Sequence, residues 1–259
     1  MKFLLVPIRI LYCFYALILF IAFMLCVIPF VMAASFFGKI KGGNIIFTVC
    51  SFWADAWFFF IGISHRNIYE VPHDKTRQYI FVANHISYID APIILKTIRQ
   101  HVRVLGKVET SDIPLFGFIY KNAIITVDRR DTADRANSVR ILKSVLKRHI
   151  SIFMFPEGTF NETRQPLKEF YDGAFKIAIE TQTPVKPVVF LDAYNRLHYR
   201  SILSLTPGIS RSVFLEEISV EGLTLKDVQL LKQKVYEIME AALIEYHASW
   251  IRTDVKLST

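Results

Sequence analysis

An α/β fold with a mixed, largely parallel sheet covered by helices, preceded by an N-terminal hydrophobic two-helix membrane motif, is what this sequence predicts. Three observations carry that reading. Two long apolar segments fill the chain up to about residue 65. Short, near-continuous apolar runs of β type follow. Helical stretches separate those runs. Strands that are apolar on both faces, joined by crossover helices, belong to sheets covered on both sides.

The N-terminal motif comes first. Residues 10–38 contain no charged side chain, and residues 44–64 contain only Asp55. A bilayer crossing needs about 20 apolar residues, so 10–37 is long enough and 44–63 is marginal. A basic start and VMAAS near residue 33 imitate a secretory signal. The uncharged run is about twice the usual signal core, however, and a second apolar segment follows directly. The connector GKIKGGN carries Lys39 and Lys41. In a spanning hairpin with a cytoplasmic main domain those lysines lie outside, against the positive-inside tendency. In a hairpin embedded in one leaflet they stay on the cytoplasmic side, with Trp53, Trp57 and Phe58–Phe60 at headgroup depth. Both topologies stand at this stage. The location expected is a membrane, on the cytoplasmic face of the inner or plasma membrane if the source is bacterial. Cys13, Cys26 and Cys50 all lie in the apolar segments, which argues against a disulfide framework and for a reducing compartment.

The division falls at residues 1–65, a membrane-anchoring helical hairpin, and 66–259, the α/β domain. In the latter, 79–83, 102–106, 123–127, 151–155 and 187–191 read as strands. Pro92–Ile98, Pro114–Tyr120, Ala133–Lys147 and Gly173–Thr181 read as helices; the third has a polar face with Arg135, Lys143 and Lys147 and an apolar face with Val139, Leu142 and Leu146. Ile202–Leu205 and Ser212–Leu215 look like further strands, and Lys226–Tyr246 closes the chain as an amphipathic helix.

The apolar fraction of 53% exceeds the ~45–50% of a soluble domain, and the excess sits at the N-terminus. The net charge is +8, of which residues 1–65 hold +3. Beside such an apolar N-terminus the basic charge points to a membrane surface. No nucleic-acid-binding motif is present, so nucleic acid is excluded as a partner. No two His or Cys stand at ligand spacing around His85, so no metal is expected.

Chemistry concentrates where strands end. NHISYID (84–90) follows 79–83, placing His85 and Asp90 five positions apart. An imidazole with a carboxylate to fix its tautomer can deprotonate a hydroxyl near neutral pH. VDRR (127–130) ends the strand at 123–127, and FPEGT (155–159) ends that at 151–155. Ligands of open α/β sheets bind beyond the carboxyl ends of strands, so a base, cations and a carboxylate converge on one edge. Each residue also has a plainer reading. Arg129 and Arg130 suit a solvated loop, Glu157 a helix-start carboxylate near Thr159, Lys107 and Glu109 an exposed pair, and Lys168 and Lys232 a solvated surface.

These ordered motifs, with TPVKPVVF at 183–190, resemble the glycerolipid acyltransferase family, and within it the lysophosphatidate acyltransferases. The likeness covers about residues 66–215. It implies esterification of the sn-2 hydroxyl of lysophosphatidate with a fatty acyl group from acyl-CoA or acyl-carrier protein, giving phosphatidate. It implies no cofactor beyond that co-substrate, and as partners the bilayer, a lysophospholipid acceptor and the acyl donor. By the same resemblance, His85 is the general base and Asp90 orients it. Arg129 holds the acceptor phosphate, Lys107 adds charge, and Glu157, Gly158 and Thr159 belong to the acceptor site. Pro187, in VKPVV, is structural. Two positions depart from the pattern. Phe160 stands where many relatives carry Arg, leaving Arg164 or Lys168 to supply that cation, and Asn122–Ala123 replace a common glycine. Both departures touch acceptor recognition. They keep open the same chemistry on glycerol-3-phosphate or a lyso-aminolipid, with a non-catalytic membrane-anchored binding protein as the remaining alternative.

Overall fold

A computed structural model describes residues 2–128 and 130–251, the side chains of 2–5 and of Arg135 excepted. Seven strands form one sheet in the order β1-β7-β6-β2-β5-β3-β4. The parallel block is β6 (Val185–Phe190), β2 (Ile80–Ala83), β5 (Ser151–Met154), β3 (Val102–Lys107) and β4 (Ile124–Val127). β1 (Ile63–Tyr69) and β7 (Gly208–Phe214) are parallel to each other, and β7 runs antiparallel to β6. The sheet is thus mixed and largely parallel. β2, β5 and β6 are buried at every position, because helices cover both faces.

The crossovers are α3 (Asp90–Thr97), α4 (Phe116–Ala123), α5 (Thr132–Leu146) and α6 (Gly173–Thr181), followed by the short α7 (Ala193–Arg196) and the closing α8 (Val228–Glu245). Asp131 caps α5 by accepting from the backbone N–H of Ala133 at 2.8 Å. Two expectations change. Ile202–Leu205 is not a strand: Ile202–Ser204 is a 3-10 turn, capped by the Ser201 hydroxyl, with Ile202 and Leu203 exposed. The last strand begins earlier than Ser212, at Gly208, and pairs with β1, which the reading by apolar runs passes over. The division drawn at residue 65 falls inside β1. His65 there is half-buried and bonded to Ser210 and Asn67, and desolvation pushes its pKa down to about 4, so it serves as a neutral polar group between β1 and β7. His73 bonds to Gln100 at 3.0 Å.

α1 (Lys2–Ser35) and α2 (Gly43–Phe60) form the hairpin, joined through a π-helical turn at Gly38–Gly42. Residues 6–35 and 38–60 are long and apolar enough to cross a membrane by length and composition. The hairpin packs against the rest of the chain, α1 on α4 and the turn at 202–204, and α2 on α3, α4 and β1. The Trp57 indole donates to the Ala16 carbonyl at 2.9 Å, and Phe20 meets Trp53 and Trp57 edge-on. Asp55, the one acid of the apolar segments, pairs with Lys96 at 2.5 Å and Arg99 at 2.6 Å at the end of α3. Arg103, buried on β3, donates to the carbonyls of Lys39 and Ile40 and to Asn44 Oδ1 at 3.2, 3.0 and 2.9 Å. The Gly42–Gly43 pair permits this closure: a Cβ on Gly43 would stand 2.5 Å from the Arg103 guanidinium, and one on Gly42 2.2 Å from the Ala34 carbonyl.

Candidate active site

The carboxyl ends of β2 and β5 lie side by side, and the residues after them build the site. After β2 the chain turns through Asn84. Its amide is fixed to β6 by a reciprocal pair of bonds with the backbone of Phe190, at 3.0 and 2.8 Å. His85 follows, and five residues on Asp90 opens α3 with its side chain wholly buried. One Asp90 oxygen, Oδ2, collects three N–H groups: the imidazole Nδ1 of His85 at 2.9 Å and the backbone N–H of Ile86 and Ser87 at 2.8 and 2.9 Å. Asp90 also sits in the first turn of α3, where the helix field favours a negative charge. A carboxylate so held accepts only, so Nδ1 carries the proton and Nε2 keeps a free lone pair. The imidazole is about one-fifth exposed (22%), enough to meet a substrate.

Aromatic rings fix the other faces of the imidazole. Phe155 stacks on it at 3.9 Å and 10° between planes, and Phe160 meets it edge-on at 4.5 Å. Tyr88, exposed, packs edge-on against Phe160 at 4.8 Å. Phe160 thus forms an apolar wall beside the base, at the position where the resemblance led to the expectation of a cation.

Glu157 is not a helix-start carboxylate, as no helix begins before Gly173. It is buried, with 1% of its surface exposed, and joins two loops: Oε1 accepts the backbone N–H of His85 at 2.8 Å, and Oε2 that of Lys168 at 2.9 Å. Burial pushes its carboxyl up to about 8, with the Asp90 charge adding to the rise and the two backbone N–H bonds opposing it. The backbone N–H of Asn161 donates to the His85 carbonyl at 2.7 Å, so the FPEGT loop grips the His85 peptide at both its oxygen and, through Glu157, its nitrogen. Gly158 has φ +72°, a left-handed conformation that glycine supplies at no steric cost.

The cations divide. Lys168 is not simply solvated: its ammonium donates to Thr159 Oγ1 at 2.7 Å and reaches the Phe160 carbonyl at 3.5 Å. It forms no ion pair among the described residues. Thr159 is exposed and shares that bond. Lys107, exposed at the end of β3, is not paired with Glu109; Glu109 faces Arg130 instead, at 3.6 Å. Lys232 pairs with Asp172 at 2.9 Å, away from the site. Arg129 lies outside the described residues. Pro187 is buried within β6. Among the described residues no cluster of His, Cys, Asp and Glu could hold a metal ion.

Phe155, Phe160, Tyr88 and Asn84 are contributions that the sequence reading did not assign. All four lie inside or beside the two motifs, and that adjacency was the available signal.

Comparison with known proteins places this geometry. The acyltransferase family profile matches residues 63–191. A 1-acyl-sn-glycerol-3-phosphate acyltransferase of Haemophilus influenzae is 28% identical over 191 residues, covering 72% of this chain and 76% of that protein. The alpha form of the same enzyme from Mus musculus is 28% identical over 184 residues, covering 69% of this chain and 62% of that protein. An uncharacterised acyltransferase of Schizosaccharomyces pombe is 28% identical over 174 residues, covering 66% of this chain. The matched region spans 62% of the length of the yeast and mouse relatives. In fold, the crystal structure of the 1-acyl-sn-glycerophosphate (LPA) acyltransferase PlsC from Thermotoga maritima superposes with a TM-score of 0.72 at 22% identity, covering 97% of this chain and 100% of that one.

Proposed function

This chain belongs to the acyltransferase family through residues 63–191, and we propose that it esterifies the sn-2 hydroxyl of lysophosphatidate with a fatty acyl group, giving phosphatidate. Relatives named for that reaction support the reading. The single observation that carries the mechanism is the 2.9 Å bond between His85 Nδ1 and a wholly buried Asp90, which leaves Nε2 as the free base.

The step follows from that tautomer. Nε2 takes the proton of the acceptor hydroxyl as its oxygen attacks the thioester carbonyl of acyl-CoA or acyl-carrier protein. Asp90 stabilises the imidazolium that forms. Collapse of the tetrahedral intermediate forms the ester, breaks the C–S bond, and returns the proton from His85 to the departing thiolate. Glu157 acts as a positioning residue that holds the His85 backbone. Arg129, Lys107 and the ammonium of Lys168 above Thr159 are the groups assigned to the acceptor phosphate, with Glu157, Gly158 and Thr159 shaping that side of the site. Phosphate on the carbon next to the reacting hydroxyl suits a cation beside the base, where Lys168 donates to Thr159 on the loop that also carries Glu157.

The same reading places the chain on the cytoplasmic face of a membrane, its hairpin embedded in one leaflet. The Arg103 bonds to the connector support the one-leaflet topology, since a spanning hairpin would carry residues 39–44 away from β3. The test is a product assay: purified protein with acyl-CoA and, separately, lysophosphatidate, glycerol-3-phosphate and lyso-aminolipids. Phosphatidate from lysophosphatidate, with turnover reduced about 10²–10⁴-fold in His85→Ala, is the expected result. Full activity in the variant, or acylation of another acceptor only, overturns it.

A further inference from the structure

We infer that the bilayer contacts the sheet domain directly, through two segments outside the hairpin: Ile113–Phe118, the end of the β3–α4 loop with the first turn of α4, and the 3-10 turn at Ile202–Ser204. The first exposes Ile113 (51%), Leu115 (46%) and Phe118. The second exposes Ile202 (67%) and Leu203. A soluble surface shows single apolar side chains of this kind, but contiguous patches mark an interface.

Continuity with the hairpin identifies the occupant as lipid. α1 lies between the two loops. Phe20 packs against Phe116 at 6.3 Å on one side, and the Cys13 thiol reaches the Leu205 carbonyl at 3.7 Å on the other. Between those points α1 exposes Phe14, Leu17 and Ile18, with Leu11 and Ile21 just beyond them. The loops and the outer face of α1 therefore form one apolar surface. Arg200 stands exposed two positions before the second loop, where anionic headgroups would meet it.

The sheet topology gives an independent argument. Ile113–Phe118 follows the carboxyl end of β3, and Ile202–Ser204 follows that of β6, the edge that also carries His85. The segment leading to the second loop is bonded to the motif itself, Ser87 Oγ donating to the Leu197 carbonyl. β1 leaves the hairpin at Ile63, beside Gly208, again at that edge because β1 and β7 run opposite to β6. Lipid-facing loops, hairpin attachment and base thus share one end of the sheet. Leu115 adds a local sign: its φ of +64° is a left-handed conformation that a leucine rarely adopts, held by a backbone that passes so close to Ser111 that a Cβ on Gly117 would stand 2.0 Å from the Ser111 carbonyl oxygen.

The proposal rests on membrane association and not on the identity of the acceptor, and its test needs no turnover. In a Cys26→Ser background, where the remaining cysteines are buried, an environment-sensitive fluorophore is placed on full-length protein at Ile113→Cys, Leu115→Cys or Ile202→Cys. Lys234→Cys, on the exposed side of α8, is the reference. Binding to phosphatidylglycerol–phosphatidylethanolamine vesicles is confirmed by flotation. Labels at 113, 115 and 202 are expected to gain emission, to be quenched by nitroxide lipids and to resist aqueous iodide, while the label at 234 shows the reverse. If vesicle-bound protein keeps the label of either loop in water, open to iodide and untouched by nitroxide lipid, the inference is overturned. A second readout is kinetic: Leu115→Glu combined with Ile202→Glu is expected to raise KM for long-chain lysophosphatidate in vesicles at least about tenfold while leaving kcat/KM for a short-chain, water-soluble lysophosphatidate unchanged. Equal loss on both substrates contradicts the assignment.

Discussion

Replacing Asp90 by Asn tests the dyad without removing a side chain. The amide oxygen can occupy the Oδ2 position and keep all three N–H bonds, including that from His85 at 2.9 Å, so the tautomer and ring orientation survive. What is lost is the negative charge beside an imidazole that becomes positive during reaction. Two unit charges about 4 Å apart attract by ~4 kcal/mol at an effective dielectric of 20. The amide dipole retains part of that. With tenfold in rate per ~1.4 kcal/mol, kcat should fall about 10²–10³-fold. The fold suffers separately. The amide nitrogen must take the place of Oδ1, which is buried and has no hydrogen-bond partner. A buried unsatisfied donor costs about 1–3 kcal/mol, or roughly 2–10 °C in melting temperature for a chain of this size. The assay pairs initial rates at saturating substrates with thermal melting in the same detergent. Asp90→Ala, which also strands the N–H groups of Ile86 and Ser87, should lose more of both. A folded Asp90→Asn protein with kcat within about fivefold of the parent would refute the argument that Asp90 acts through its charge.

Three further outcomes are expected. The Glu157 carboxyl, raised by burial to about 8 from an ordinary 4.5, contributes stability that is fully present below the lower value and is lost as pH rises through about 8. The stability of the parent relative to Glu157→Gln should therefore fall from pH 5 to pH 9, by on the order of 1 kcal/mol per pH unit at most; urea midpoints that differ by a constant amount across that range contradict the assignment. Arg129→Ala should raise the apparent KM for lysophosphatidate more than that for the donor, with Arg129→Lys restoring only part, because a guanidinium pairs bidentately with phosphate; a shift in donor KM alone moves the arginine to the donor side. A cysteine at Lys41, exposed on the connector, should escape an impermeant thiol reagent outside intact cells in a background lacking the native cysteines, and labelling from outside would show a spanning hairpin.

The dyad was legible because it is local. Five positions separate His85 from Asp90, and a helix beginning at Asp90 folds that interval into a bond. Glu157 was not legible in the same way, since its two partners, the backbone N–H groups of His85 and Lys168, come from segments far apart in sequence and carry no side-chain signature. Lys168 looked like a surface lysine for the same reason. Strands β2, β5 and β6 announced themselves by burial on both faces, and β3 and β4 by their apolar runs. β1, ISHRNIY, escaped notice because it is a sheet edge with polar and half-buried positions, and its histidine is satisfied by Ser210 on β7. The ILSL run at 202–205 failed in the opposite direction: it is apolar enough for a strand, yet its first two residues face outward beside α1.

The pairing of β1 with β7 fixes an order of assembly. Ile63 lies beside Gly208, so the strand that leaves the hairpin has no neighbour until most of the chain has been made. At about 5–20 residues per second, that interval lasts roughly 7 to 30 s on the ribosome. The Arg103 clamp on the connector also waits, for β3. Until α3, β3 and α4 have been made the hairpin is an apolar segment without its protein partners, and lipid is the solvent suited to it. A hairpin captured by the membrane during synthesis would tether the nascent sheet as it grows, and the edge strand β1 would close last, onto β7.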